Sequence, residues 1–120
     1  MRVAIVGSRH YKDLLAVRAY VRLLPIEDVV VTGGAPGVDT TAEQAARRRG
    51  MIVDVYLPDY EKHGKRAPLV RNETIAATCD RMVAFHDNWS RGTLHAIGWA
   101  RRLGKHVDVI RIDDPKVSSR

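Results

Sequence analysis

Hydrophobic residues along the chain occur in short runs that alternate with longer amphipathic stretches. Five runs are rich in β-branched and other apolar residues, which is typical of strands that are buried on both faces. These runs are residues 2–6, 29–31, 51–57, 81–86 and 107–112. Apolar residues between the runs recur at helical spacing. The alternation predicts one α/β domain over residues 1–120, with a doubly wound parallel sheet of about five strands and helices on both faces.

Four helices follow from the same pattern. Their predicted ranges are 13–24, about 39–49, 69–79 and 93–103. Asp13 has the side chain of an N-cap residue, while Gly50 and Gly104 are placed to end the second and fourth helices. The second helix begins with Thr40-x-x-Glu43, the spacing of a capping box, with Asp39 or Thr40 as its N-cap.

Two segments are predicted to lack regular structure. Residues 60–68 are polar and include a glycine, which indicates an irregular loop that covers a site or is simply mobile. Residues 113–120 are expected to fray as a terminal tail.

The central feature is the turn that follows the second strand. Its sequence is Gly33-Gly34-Ala35-Pro36-Gly37-Val38-Asp39. Glycines allow close approach to the main chain, and a helix N-terminus presents free amides and the positive end of its dipole. A phosphate or a carboxylate is the natural occupant. The turn matches neither a Walker A loop nor the dinucleotide fingerprint, and a βα turn without a ligand is the alternative.

Two more polar turns follow strands. The first is Gly7-Ser8-Arg9, and the second includes Ser90-Arg91-Gly92-Thr93. Ser8 could offer its hydroxyl to a ligand and Arg9 could pair with a phosphate; alternatively, Ser8 caps a helix and Arg9 is a surface charge. With a strand order of 3-2-1-4-5, all three turns meet in one cleft at the carboxyl ends of strands one, two and four.

Arg71 is a further candidate because it lies near the predicted start of the third helix. A cation is unfavourable there, since the helix dipole is positive at that end. Arg71 therefore either pairs with Glu73 or another acid, or it points at a bound anion.

Charge and composition limit the classes of ligand and partner that the chain is expected to bind. The net charge is +6 and the isoelectric point is near 9.9, which suits a nucleic-acid binder or a protein with anionic small ligands. A single cysteine, Cys79, excludes an internal disulfide and a thiolate-rich zinc site. The histidines are far apart and none forms a ligand pair with a carboxylate, so no metal site is predicted. No cofactor is predicted either. The sequence has no apolar run long enough to cross a membrane and no signal peptide, so a cytoplasmic protein is expected.

Four separated motifs resemble those of the SLOG superfamily, which includes the DprA, LOG and YpsA proteins. They are Gly7-Ser8-Arg9, Gly33-Gly34-Ala35-x-Gly37-Val38-Asp39, Arg71-Asn72-Glu73 and Ser90-Arg91-Gly92-Thr93. They span nearly the whole chain and are most similar to the YspA-like branch.

The resemblance implies a Rossmann-like domain that binds nucleotides or nucleotide-derived ligands. The turns after strands two and four would hold phosphate. In the LOG enzymes, an arginine at the position of Arg71 and a glutamate in a Gly-Thr-x-x-Glu motif support cleavage of a nucleotide N-glycosidic bond. Ala96 stands at the glutamate position here, so the transition state lacks that carboxylate. Asp39, Glu73, Asp87 or His95 could replace it.

Three functions are therefore weighed. The first is a nucleotide-binding module or sensor, and the second is a hydrolase of nucleotide N-glycosidic bonds, with Arg71 and Glu73 as candidate catalytic residues. The third is single-stranded DNA binding of the DprA type, using the basic surface and Trp89. A homodimer is expected by resemblance. Arg71→Ala and Gly34→Asp are expected to abolish ligand binding while leaving the fold intact.

Overall fold

Strands and helices alternate along the chain, as the hydrophobic pattern predicts. The structure, a computed structural model, describes residues 1–111, so the tail predicted at 113–120 lies outside it. The strands are β1 (Arg2–Gly7), β2 (Val29–Thr32), β3 (Ile52–Val55), β4 (Arg81–His86) and β5 (His106–Arg111). The helices are α1 (Leu14–Arg22), α2 (Val38–Arg48), α3 (Tyr60–His63), α4 (Ala67–Thr78) and α5 (Arg91–Arg102), with a 3₁₀ turn at Gly64–Arg66.

All five strands are parallel and form one sheet, which confirms the predicted parallel sheet, and their order β3-β2-β1-β4-β5 is the one assumed for the cleft. β1 lies at the centre, between β2 and β4. The carboxyl ends of these three strands therefore meet at one edge of the sheet, and the turns that follow them are neighbours.

The core has one layer on each side of the sheet. Alternate strand residues point to opposite faces, so the central strands need apolar residues at both parities. Val3, Ile5 and Phe85 pack against α1 and α2, while Ala4, Val6 and Met82 pack against α4 and α5. Helices thus cover both faces, as predicted. Within residues 1–111 no helix is both long and apolar enough to span a bilayer.

The helix ends confirm some predicted signals. The Asp13 carboxylate accepts a hydrogen bond from the amide of Ala16 at 3.1 Å and caps α1. Gly50 and Gly104 follow α2 and α5 with φ angles of 77° and 78°. Glycine adopts this left-handed conformation without steric cost, and it ends both helices.

The predicted capping box at Thr40 is wrong. Helix α2 begins at Val38, and its N-cap is Gly37, which has a φ of 88° and provides no side-chain cap. The Thr40 hydroxyl instead donates to the carbonyl of Gly37, and the Asp39 carboxylate turns inward, where it accepts from the amide of Ala35. The positive φ at Gly37 starts the helix earlier than the side-chain pattern indicates.

The predicted irregular loop at 60–68 is also wrong. Residues 60–66 form α3 and the 3₁₀ turn, and α4 begins at Ala67. Asp59 caps α3 by accepting from the amide of Lys62 at 3.1 Å. Pro68 lies in the first turn of α4, where its fixed φ and missing donor are tolerated.

Candidate functional site

A cleft of about 180 Å³ opens at the carboxyl edge of the sheet. It lies between the turn after β1, the glycine turn after β2, helix α4 and the first turn of α5. Nine of the residues proposed from sequence line it: Gly7, Arg9, Ala35, Asp39, Arg71, Asn72, Ser90, Gly92 and Thr93. The three polar turns therefore meet in one place.

The other proposed residues lie outside the lining of this cleft. They are Ser8, Gly33, Gly34, Gly37, Val38, Glu73 and Arg91. Val38 is fully buried beneath the turns. Ser8 is 1% exposed, and its hydroxyl accepts from the amide of Asp87 at 3.1 Å. Ser8 thus ties the turn after β1 to the loop after β4.

The glycines of the turns are packed against the protein itself. A Cβ atom on Gly33 would lie 2.5 Å from Nη1 of Arg71, and one on Gly34 would lie 2.6 Å from Cδ2 of Leu57. A Cβ on Gly37 would collide with the backbone of Arg9, and one on Gly7 with Val38. The space that these glycines leave is therefore filled by neighbouring residues of the same chain. Gly34→Asp would consequently strain the fold, contrary to the expectation from sequence.

Gly92 differs from these glycines. Its nearest neighbour is the Ser90 hydroxyl, 4.0 Å from a Cβ placed on it. Ser90 caps α5, because its Oγ accepts from the amide of Thr93 at 3.3 Å. The first amides of a helix have no partner within the helix. The α5 end of the cleft thus offers both amide donors and open space.

Arg71 extends from α4 to the ends of β2 and β3. Its Nη1 donates to the carbonyl of Gly33, and its Nε donates to Oδ1 of Asn72 at 2.9 Å. Asn72 in turn donates from Nδ2 to the carbonyl of Gly92 at 3.2 Å. Asn72 therefore fixes the guanidinium and links α4 to α5. The Nη2 group of Arg71 makes no hydrogen bond within residues 1–111.

The electrostatic argument for Arg71 needs correction. Arg71 is not in the first turn of its helix, because α4 begins at Ala67. The structure shows no ion pair between Arg71 and Glu73 among the described residues. Burial lowers the pKa of Arg71, and the nearby carboxylate of Asp39 raises it. Asp39 is thus the acid that faces this arginine.

Asp39 is 4% exposed at the bottom of the cleft. Its Oδ2 accepts from the amide of Ala35 at 3.3 Å, and its Oδ1 is buried without a hydrogen-bond partner among the described residues. Burial raises the pKa of Asp39 to about 6, although the amides of Ala35, Gly33 and Gly7 and the charge of Arg71 pull it down. This carboxyl therefore titrates close to neutral pH.

The loop after β4 is ordered by Asp87. Its Oδ1 accepts from the amides of Trp89 and Ser90 at 2.9 and 3.0 Å. Burial raises the pKa of Asp87, but these amides more than offset that effect, and the net shift is downward. Trp89 is 84% exposed, so its side chain does not anchor the loop.

Sequence reasoning missed several apolar residues of the cleft. They are Val6, Pro68, Leu69 and Ile75. Pro68, Asn72 and Ile75 follow one another at helical spacing, so an earlier start of α4 would have placed them on one face. Ala96, which stands at the glutamate position of the LOG motif, also lines the cleft and is 2% exposed.

Two solved structures share this fold. DNA processing protein A from Streptococcus pneumoniae has a TM-score of 0.77 and 25% identity, over 90% of this chain and 49% of that chain. DNA processing protein A from Helicobacter pylori, described with its single-stranded DNA binding mode, has a TM-score of 0.70 and 21% identity, over 91% of this chain and 64% of that chain. The chain thus spans about half to two thirds of these proteins.

A comparison with curated proteins finds no significant match. A family model matches residues 1–63, which include the turns after β1 and β2. Because the match covers more than half of the chain, the protein belongs to the YspA, cpYpsA-related SLOG family.

Proposed function

We propose that the chain binds a nucleotide or nucleotide-derived small molecule in the cleft, with a phosphate at the first turn of α5. The observation that carries this proposal is the fixed guanidinium of Arg71. Two of its nitrogens are held by Gly33 and Asn72, and Nη2 is left for a ligand. A planar guanidinium with free donors suits phosphate recognition.

The composition of the cleft supports an anionic ligand. Arg9 and Arg71 both line it, and Asp39 is the one acid among the described lining residues. The amino end of α5 adds the positive end of a helix dipole and free amides. Gly92 leaves open space beside them. A phosphate at this point would contact donors from α5 and could reach Arg71 across the cleft.

A thermal-shift panel tests the proposal. It contains the four nucleoside 5′-monophosphates, ADP-ribose, NAD and a short single-stranded oligonucleotide. A ligand at a hundred times its dissociation constant contributes about 2.7 kcal/mol, which raises the melting temperature by several degrees. Arg71→Ala should weaken binding at least about tenfold, because a hydrogen-bonded charged contact is lost.

The matched control is Arg48→Ala, which removes the same charge from an exposed position at the far end of α2. It should leave nucleotide binding unchanged. A panel in which no nucleotide stabilises the wild type would overturn the proposal. Equal affinities of the Arg71→Ala and wild-type proteins would remove Arg71 from the site.

Hydrolysis of a nucleotide N-glycosidic bond is the second candidate, and Asp39 is the observation that favours it. A buried carboxyl with a pKa of about 6 lies in the cleft, in the range of a general base at neutral pH. It would accept a proton from water as the water attacks the anomeric carbon. The nucleobase would leave with the electron pair of the broken N-glycosidic bond. Glu73, the other proposed acid, does not line the cleft.

Chromatography of a nucleotide incubated with the protein separates binding from hydrolysis. Release of free base that is lost in Asp39→Asn would support the enzyme. An intact nucleotide after prolonged incubation would exclude hydrolysis, and the protein would then be a binding module or sensor.

Single-stranded DNA binding is supported by the fold shared with DNA processing protein A from Helicobacter pylori, which is described with its single-stranded DNA binding mode, and by the net charge of +6. Its signature is an oligonucleotide affinity that falls steeply with salt. Stabilisation by the oligonucleotide alone would place DNA binding first.

The proposed homodimer is tested by light scattering, where a monomeric mass at micromolar concentration would contradict it.

A further inference from the structure

We infer that Asp39 is an internal anion that closes the glycine turn to phosphate, so that the cleft selects ligands with one phosphate over ligands with a pyrophosphate. This inference rests on the proposed nucleotide binding. It assigns Asp39 a role in specificity rather than in contacting the phosphate.

The first argument concerns the amides of the turn. Main-chain amides of a tight turn can form a concave site for an anion. Here the Asp39 carboxylate lies against amides of the two glycine turns, ahead of the first residue of α2. Its Oδ2 accepts from the amide of Ala35 at 3.3 Å, and the amides of Gly33 and Gly7 also stabilise its charge. The anion that these donors hold is therefore part of the protein.

The second argument is steric. Pyrophosphate-binding turns need glycines because the ligand approaches their main chain closely. In this turn that space is taken by other residues. A Cβ on Gly33 would lie 2.8 Å from Cζ of Arg71 and 2.9 Å from Oδ2 of Asp39. Gly37 packs against the backbone of Arg9. On the Cβ side of these glycines, a phosphate would have to displace the Arg71 and Asp39 side chains at Gly33 and the Arg9 backbone at Gly37.

The third argument is electrostatic. A second phosphate placed toward the glycine turn would lie beside the Asp39 carboxylate, which is 4% exposed. Like charges repel strongly there, because the effective dielectric constant is low. The α5 end carries no acid among the described lining residues, and Gly92 leaves it open. One phosphate therefore has a favourable position, and the next does not.

Isothermal titration with paired probes tests this selectivity. The probes are the 5′-mono- and diphosphates of adenosine, guanosine, cytidine and uridine, which differ within each pair by one phosphate. The wild type should bind the monophosphate of the preferred nucleoside at least about tenfold more tightly than the diphosphate. Asp39→Asn keeps the shape of the side chain and removes its charge, and Asp39→Ala also empties the amide site. Both variants should raise diphosphate affinity relative to monophosphate affinity.

Asp59→Asn is the matched control, because it removes the same charge from the cap of α3, outside the lining of the cleft. It should keep the wild-type preference. Equal binding of mono- and diphosphate by the wild type would overturn the inference while the proposed function stands. An unchanged preference in both Asp39 variants would also overturn it. Failure of every probe to bind would overturn the proposed function itself.

Discussion

Gly33→Ala should displace the guanidinium of Arg71 although it adds only one methyl group. Gly33 does not line the cleft, but its carbonyl accepts a hydrogen bond from Nη1 of Arg71. The new Cβ would lie 2.5 Å from Nη1 and 2.8 Å from Cζ of that guanidinium, and 2.9 Å from Oδ2 of Asp39. Real Cβ atoms essentially never approach closer than 3.0 Å. The guanidinium must therefore move away, which weakens its hydrogen bond to Asn72.

The cost follows from these contacts. The atoms that meet the new Cβ are the ends of the Arg71 and Asp39 side chains, which can shift, so overpacking and the weakened hydrogen bond together cost about 1–3 kcal/mol. For a domain of this size, the melting temperature should fall by roughly 4–15 °C. Thermal denaturation and nucleotide titration of the same protein measure both effects. Gly98→Ala is the control, because Gly98 is exposed within α5 with nothing within 4 Å of a Cβ. It should stabilise the protein by about 0.5–1 kcal/mol.

A double-mutant cycle isolates the clash. In an Arg71→Ala background the guanidinium is absent, so Gly33→Ala should cost less than it does in the wild type. Part of the cost should remain, because Oδ2 of Asp39 still lies 2.9 Å from the new Cβ. A coupling energy of about 0.5–3 kcal/mol is expected for residues in direct contact. Additive costs, together with unchanged nucleotide binding by Gly33→Ala, would refute the packing argument.

Three further predictions concern pH and capping. The pKa of Asp39 is raised to about 6 in the fold. Its stabilising effect is therefore present below its unfolded pKa near 3.8 and is lost as pH rises through 6. In urea titrations, Asp39→Asn should remove this dependence of the free energy of unfolding on pH. Burial lowers the pKa of His86, so its effect on the free energy of unfolding has the opposite dependence on pH. The stabilisation is present above the unfolded pKa of 6.5 and is lost as pH falls through the lower pKa of the fold. His86→Gln should reduce this loss of stability at low pH. Ser90→Ala should cost about 1 kcal/mol by chemical denaturation, because the amide of Thr93 loses its cap, and an unchanged midpoint would contradict that role.

Much of the fold could be predicted because its signals are local. Val29, Val30 and Val31 are apolar at successive positions, as a strand covered on both faces requires, and β2 indeed lies inside the sheet. Asp13 was identified as a cap because the bond that it makes reaches only three residues along the chain. The strand order 3-2-1-4-5 was a condition of the cleft argument and not a result of the local pattern, and the structure has that order.

The errors occurred where a distant residue decides the local structure. Thr40-x-x-Glu43 has the spacing of a capping box, but Gly37 starts the helix earlier and Asp39 turns toward a buried site. The segment 60–68 is polar, yet it is helical, because Asp59 caps one end and Pro68 opens α4. Neither the depth of Asp39 nor the exposure of Trp89 is visible in the sequence.

The glycine turn shows this limit most clearly. Its sequence would be the same whether the glycines made room for a ligand or for another part of the chain. The residue that decides is Arg71, which lies 38 positions away from Gly33 and fills the space beside it. The Asp39 carboxylate also accepts from the amide of Ala35, a donor of the turn that sequence alone assigns to a phosphate. A glycine-rich turn therefore does not by itself show how many phosphates a cleft can hold. That number depends on which amides remain unoccupied after the chain has folded, and in the proposed binding mode they are those beside Gly92 at the start of α5.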